Sequence, residues 1–243
     1  MRVVAVIQAR MGSTRLPGKV LKNICGETML SRVINRIKRS TLLDEILVAT
    51  SVKPADEAIV HEAELLGVSC FSGSEDDVLD RYYKAAIEYN AETVVRVTSD
   101  CPLIEPAILD SVVRVFLKEK SDYASNTIVR TYPRGLDVEV ISVSALTAAW
   151  RNAEKPYQRA HVTPYIYENP HCFRLVSVTG SPDYSGYRWT VDTLEDLEFV
   201  RKVYEHFHHR NVFGWTEVLE LCEKNSGLIN LNSHVEQKPL EQS

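Results

Sequence analysis

Three short apolar runs, at residues 3–7, 46–49 and 94–97, constrain the fold of this chain most: they are rich in β-branched side chains and lack strict polar alternation. Strands of that kind are buried on both faces, as in a parallel sheet covered by helices on each side. The segments between them carry the matching helical period. Ile59, Ala63 and Leu66 recur on one face, as do Leu79, Tyr82, Tyr83 and Ala86, and then Leu109, Val112, Val113 and Phe116. Gly67 and Asn90 stand where a left-handed residue closes a helix, and Pro106 stands where one opens. The first half therefore reads as βαβ crossovers in a doubly wound α/β sheet.

After Asp122 the pattern changes. Leu136, Val138 and Val140 alternate with Asp137, Glu139 and Ile141, which predicts a strand with one polar-leaning face. Residues 155–170 read as an irregular or short-helical excursion, residues 173–178 and 188–191 as strands, and the stretch from Thr193 as a helix presenting Leu197, Val200 and Tyr204. With 243 residues, one main core is expected. Residues 1–230 form the expected single domain, with 121–185 as an inserted substrate and dimerisation region and 231–243 as a flexible tail.

The loop after the first run, from Gln8 and Ala9 to Lys19, holds two glycines (Gly12, Gly18), two hydroxyls (Ser13, Thr14) and three cations (Arg10, Arg15, Lys19). Glycines let backbone N–H groups approach an anion, and the cations add charge-assisted hydrogen bonds, so the loop can cradle a triphosphate. It is not a Walker A loop. Five residues separate Gly12 from Gly18 where that motif has four, and Val20 stands where its metal-binding hydroxyl belongs. Metal ligands must then come from other strand ends.

Asp100 follows the run at 94–97, at the carboxyl end of an expected central strand, and Asp192 ends the run at 188–191. Open α/β sheets bind ligands at that edge, and magnesium takes one or two carboxylates besides phosphate oxygens and water. Each aspartate also has a purely structural reading: Asp192 within a capping box with Glu195, and Asp100 as the cap of the turn before Pro102.

Charge and cysteine content narrow the class. A net charge of −5 disfavours a nucleic-acid binder. The five cysteines include no C-x-x-C pair and no zinc spacing, and read as reduced thiols, Cys101 as a packed one. His206, His208 and His209 read as decoration of a helix end. No run is long enough for a signal-peptide core or a membrane span, so a cytoplasmic chain without a membrane partner is expected.

On Arg10 with Ser13–Lys19, on Asp100-Cys101-Pro102-Leu103-Ile104 and on Asp192-Thr193-Leu194-Glu195-Asp196-Leu197, the chain resembles the cytidylyltransferases that activate 3-deoxy-manno-octulosonate and sialic-type acids. Gln8, together with residues 134–139 and 159–165, resembles the SpsF-like subgroup of spore-coat polysaccharide synthesis. The resemblance implies a Rossmann-like nucleotidyltransferase fold and CTP as substrate. Arg10 and Lys19 would contact the phosphates with Arg15 beside them, Asp100 and Asp192 would hold Mg2+, and Ser72 and Arg81 would lie near the base. Arg134, Asp137 and His161 are the candidates for binding a sugar-acid or polyol acceptor, Arg134 through a carboxylate. A homodimer is expected. Another nucleotide, a sugar 1-phosphate acceptor, or a nucleotide-binding module without chemistry remain open alternatives. A glycosyltransferase is less well matched, because Asp100-Cys101-Pro102 lacks the second aspartate of a D-x-D motif.

Overall fold

The computed structural model describes residues 1–239. Among the described residues nine strands form in chain order: β1 (Val3–Gln8), β2 (Asn23–Ile24), β3 (Glu27–Thr28), β4 (Glu45–Ser51), β5 (Ser69–Gly73), β6 (Thr93–Thr98), β7 (Tyr123–Ser125), β8 (Glu139–Ser142) and β9 (Leu175–Ser177). Seven of them make one sheet in the order β5-β4-β1-β6-β8-β7-β9, and β2 and β3 form a small hairpin apart from it. Pairing is parallel from β5 through β6 and between β7 and β9, while β8 runs antiparallel to both neighbours. The expected Rossmann-like α/β sheet, parallel in the main, is what forms.

The helices are α1 (Met29–Ile37), α2 (Glu57–Leu65), α3 (Val78–Glu88), α4 (Pro106–Glu119), α5 (Val143–Asn152), α6 (Pro156–His161), α7 (Pro164–Tyr167), α8 (Leu194–His206), α9 (Trp215–Lys224) and α10 (Ser226–Ile229). They cover both faces of the sheet. Val3, Ala5 and Ile7 of β1 pack into a core with Val33, Val112 and Val200, while Val4 and Val6 face a second core with Leu79, Tyr82 and Ala145. This explains why β1 shows no polar alternation: both of its faces are dry. Gly67 and Asn90 have the expected positive φ, 63° and 51°, and Pro106 opens α4. No helix among the described residues is long and apolar enough to cross a membrane.

Two expectations are corrected. Residues 188–191 do not join the sheet, and only an isolated bridge pairs Arg188 with Arg134. The backbone of this segment bonds to loops instead, Trp189 N–H to Arg134 O at 2.7 Å and Val191 N–H to Asp100 O at 2.8 Å. The alternation from Leu136 yields a strand only from Glu139 onward. Before it, the Asn126 side chain replaces a neighbouring strand, donating to Leu136 O at 2.7 Å and accepting from Val138 N–H at 2.9 Å. The polar-leaning face is also turned inward there, since Glu139 is buried.

Within the tail expected from residue 231, Asn232 is buried, and Gln237 accepts from Arg188 at 2.9 Å. Residues 240–243 of that tail lie outside the described residues.

Candidate active site

The chain leaves β1 toward β4 and β5, then returns to β6 on the other side of β1, so the order reverses between β1 and β6. Such a reversal opens a crevice at the carboxyl ends of the two strands. Gln8 and Thr98, register partners, mark its floor.

The loop from Gln8 to Lys19 is folded over this crevice by its own backbone. Met11 O accepts the N–H groups of Ser13 at 2.9 Å and Gly18 at 3.0 Å, and Met11 N–H donates to Asp56 at 2.7 Å. Gly18 takes a φ of 65° at the start of a 3-10 turn spanning Lys19–Leu21. Leu16 and Val20 are buried and pin the loop to the core. Val20 thus occupies the Walker-type hydroxyl position for a packing reason.

Pinned in this way, Lys19 reaches the opposite wall. Its Nζ donates to Asp100 Oδ2 at 2.8 Å, to Asp192 Oδ1 at 2.8 Å and to Val191 O at 2.9 Å. Burial works against the Lys19 ammonium, but the two carboxylates outweigh it and raise its pKa above the ordinary lysine value. Burial likewise pushes Asp100 up, and Lys19 with hydrogen bonds from Thr98 and Cys101 overcomes it, holding Asp100 below the usual carboxylate range.

Asp192 is held by two further cations, Arg15 and Arg188, each 2.9 Å from its Oδ2. Its capping alternative is not realised, because Thr193 and Asp196 form the reciprocal cap of α8, with Asp196 N–H on Thr193 Oγ1 at 3.3 Å and Thr193 N–H on Asp196 Oδ2 at 3.1 Å. Asp100 is likewise directed to Lys19, and Glu105 caps α4.

Two carboxylates and a carbonyl converging on one ammonium are an all-oxygen donor set. It suits a hard divalent cation once phosphate oxygens and water complete the shell. The residues fit magnesium by that chemistry, although no group of three or more His, Cys, Asp or Glu side chains gathers among the described residues.

Two cavities adjoin here. One, of about 570 Å³, is lined by Gln8, Ala9, Arg10, Gly12, Ser13, Arg15, Lys19, Arg81, Asp100 and Asp192, among others. Ser72 is not among its lining residues; it lies exposed on β5. Arg10 is exposed at the rim. Arg81 is buried, donates to Ser74 O at 2.8 Å, and has its pKa lowered by that burial.

The second cavity, of about 670 Å³, brings together Arg134, Asp137 and His161. Two ion pairs in its wall were not singled out from the sequence. Arg130 grips Asp137 with both terminal nitrogens, at 2.5 and 2.8 Å. Arg96 pairs with Glu139, which also accepts from Tyr123 at 2.5 Å and Thr163 at 2.7 Å. Burial opposes the Glu139 charge, yet Arg96 and these hydroxyls hold its pKa below the ordinary value. The signal available was a lone Arg within β6 and a lone Glu opening β8, charges that a buried sheet tolerates only as a pair. The Arg134 guanidinium makes no ion pair among the described residues, and burial followed by repulsion from Arg130 lowers its pKa.

Arg188 and Asp196, which hold the Asp192 side chain and backbone, were also not singled out as site residues from the sequence. Four-residue spacing joins Arg188 to Asp192, but the intervening backbone is not helical, so helix periodicity could not flag it.

Cys101 is buried and bonded to Thr98 Oγ1 at 3.2 Å, and burial raises its thiol well above the ordinary pKa, which fits a packing role. His206 lies in the last turn of α8, with His208 and His209 just beyond it.

Comparison with known proteins shows the family of the chain. The sequence model of a family described as cytidylyltransferase matches residues 4–226. An uncharacterized protein of Methanocaldococcus jannaschii, MJ1063, is 41% identical over 98% of this chain and 97% of its own length. The spore coat polysaccharide biosynthesis protein SpsF of Bacillus subtilis is 32% identical over 92% of this chain and 95% of its own. The solved structure of a cytidylyltransferase from Leptospira borgpetersenii superposes with a TM-score of 0.92 at 36% identity, covering 98% of this chain and all of that one (100%).

Proposed function

Because the chain belongs to the cytidylyltransferase family, and is thereby a nucleotidyltransferase, we propose that it couples CTP to a sugar acid or related polyol and releases pyrophosphate. The observation that carries this reading is Lys19 held between Asp100 and Asp192 at the sheet's switch point, with a second cavity opening beside it. The triphosphate lies in the cavity under the 8–19 loop, and the acceptor in the cavity of Arg134, Asp137 and His161.

In the reaction, an acceptor hydroxyl oxygen bonds to the α-phosphorus as the bond to the bridging oxygen breaks. Pyrophosphate leaves with that electron pair, and the hydroxyl proton passes to solvent. Arg10, Arg15 and Lys19 neutralise charge on the departing phosphates, an electrostatic contribution that requires no covalent intermediate. The pinned loop keeps these cations at the crevice, where Lys19 and Arg15 exchange their bonds to Asp100 and Asp192 for phosphate oxygens as the nucleotide binds. Asp100 and Asp192 would hold magnesium, which when bound supplies phosphate charge neutralisation and polarisation. Arg134, which pairs with no carboxylate among the described residues, pairs with the carboxylate of an acidic acceptor, and Asp137 and His161 bond its hydroxyls.

The proposal extends to the SpsF-like subgroup and to surface polysaccharide or glycan synthesis, supported by the 32% identity to the spore-coat protein. It includes a homodimer formed through residues 121–185, where Ile128 and Val129 stand 40% and 54% exposed. Incubation of the protein with CTP, ATP, GTP or UTP, magnesium and a panel of acidic sugars and polyols tests the activity, with mass detection of the adduct. CMP adducts with an acidic sugar are expected. Equal use of all four nucleotides, or pyrophosphate release with sugar 1-phosphates alone, would overturn the assignment.

A further inference from the structure

The segment after α10 is tied to the same residues that hold Asp192. Asn232 is buried, and its amide donates to Arg188 O and to Asp196 Oδ1, both at 2.9 Å. Its carbonyl accepts from Val235 N–H at 3.0 Å, which turns the chain. Gln237 Oε1 then accepts from the Arg188 guanidinium at 2.9 Å, while the other terminal nitrogen of that guanidinium holds Asp192 at 2.9 Å. Arg188 therefore links the C-terminal segment to the carboxylate that Lys19 grips.

The next residue, Lys238, lies where the two cavities meet. Only Thr98, His161 and Lys238, among the described residues, line both. Lys238 is the one of these that bears an ammonium group. Arg96, Arg130 and Arg188 are engaged by carboxylates of the chain, and Arg10, Arg15 and Lys19 are those assigned above to the departing phosphates. No ion pair among the described residues engages Lys238.

We propose that the C-terminal segment is a working part of the active site, in which Lys238 binds the α-phosphate of the nucleotide at the junction of the two cavities and Gln237 is the residue that positions it. This rests on the cytidylyltransferase reading: with the triphosphate in one cavity and the acceptor in the other, the junction is where the acceptor oxygen meets the α-phosphorus. An ammonium there faces the one phosphate that is common to substrate and product. Pyrophosphate leaves without it, whereas the CMP moiety stays beneath it.

The test compares CTP, CMP and cytidine binding to the full-length protein by calorimetry, in wild type, Lys238→Met, Lys238→Arg and Gln237→Ala. Loss of one charge-assisted hydrogen bond corresponds to a loss of affinity of about tenfold. Lys238→Met is expected to weaken CTP and CMP by that factor and leave cytidine unchanged. Arginine should restore most of the loss, and Gln237→Ala should give part of it. Unaltered CMP affinity in Lys238→Met would overturn the proposal. So would an equal loss for cytidine, which would mean that the segment merely supports the fold. Absence of CTP binding by the wild type would instead remove the underlying cytidylyltransferase reading, so the two failures are distinct.

Discussion

Arg188 and Asp196 form a two-pronged pair, Nε to Oδ1 at 2.9 Å and a terminal nitrogen to Oδ2 at 3.0 Å, with the Asp196 side chain fully buried. The same carboxylate accepts the backbone N–H of Asp192 at 2.9 Å, so the orientation of Asp192 depends on this pair from both its side chain and its backbone. Removing one partner of such a buried pair leaves an uncompensated charge, at about 3–5 kcal/mol. Asp196→Ala should lower unfolding stability by about that amount in a denaturant titration, and any remaining folded protein should turn over poorly.

Lys19 neutralises two carboxylates at once. Lys19→Ala should lower kcat by about 10²–10³, the range for losing one preorganised charge-stabilising donor. Steady-state kinetics across CTP concentration check this, and an unchanged profile would remove Lys19 from the machinery.

Asp100 and Lys19 also set a pH window. The depressed pKa of Asp100 stabilises the fold above its ordinary value, and that contribution is lost as pH falls through the lower, folded value. The raised pKa of Lys19 stabilises below its ordinary value, and is lost as pH rises through the folded one. Between about pH 5 and pH 9 both groups stay charged, so neither limb of an activity profile in that range belongs to them. In Asp100→Asn, burial gains ground over the one remaining carboxylate, so the folded pKa of Lys19 falls toward its ordinary value and the alkaline loss of stability should become smaller. Thermal melting at stepped pH reads this shift, and the same variant should release no pyrophosphate.

Gly135 has a φ of 108°, and a Cβ there would lie 2.6 Å from the carbonyl carbon of Trp189 and from Thr190 N. Both the conformation and the space exclude a side chain. Gly135→Ala should destabilise by about 1–3 kcal/mol and raise the acceptor KM, because it separates the Arg134 loop from the segment carrying Asp192.

Arg134→Met should raise KM for an acidic acceptor about tenfold or more, while CTP affinity and turnover of neutral polyols change little. Equal effects on acidic and neutral acceptors would exclude carboxylate pairing.

The parallel half of the fold was legible because burial on both faces leaves its mark directly in composition, as in residues 3–7. Residues 188–191 were misleading for a physical reason. Trp189 and Val191 are buried and flank Thr190, as in a strand, yet their N–H groups bond to Arg134 O and Asp100 O in loops. Sequence periodicity reports which side chains are dry and is silent on where the backbone bonds go. Lys19, Asp100 and Asp192 were readable singly, by position at strand ends. That one ammonium would bond both aspartates was not, because it depends on Leu16 and Val20 anchoring the loop at a particular height. Arg188, Arg130 and Gln237 were hidden for the same reason: each acts through a partner chosen by tertiary packing rather than by spacing.

The bond from Lys19 to Asp192 spans 173 residues, and that from Lys19 to Asp100 spans 81. During synthesis, β1 and its loop leave the ribosome long before either carboxylate exists, and Asn232 arrives later still. A nascent chain therefore has none of the proposed triphosphate cradle's Lys19 contacts to Asp100 and Asp192 complete until the segment carrying Asp192 has been translated. Contacts of such long range are also the slow ones to form. Nucleotide binding at the proposed site would thus report assembly of these long-range contacts, and a saturating nucleotide would pull that late step forward by mass action.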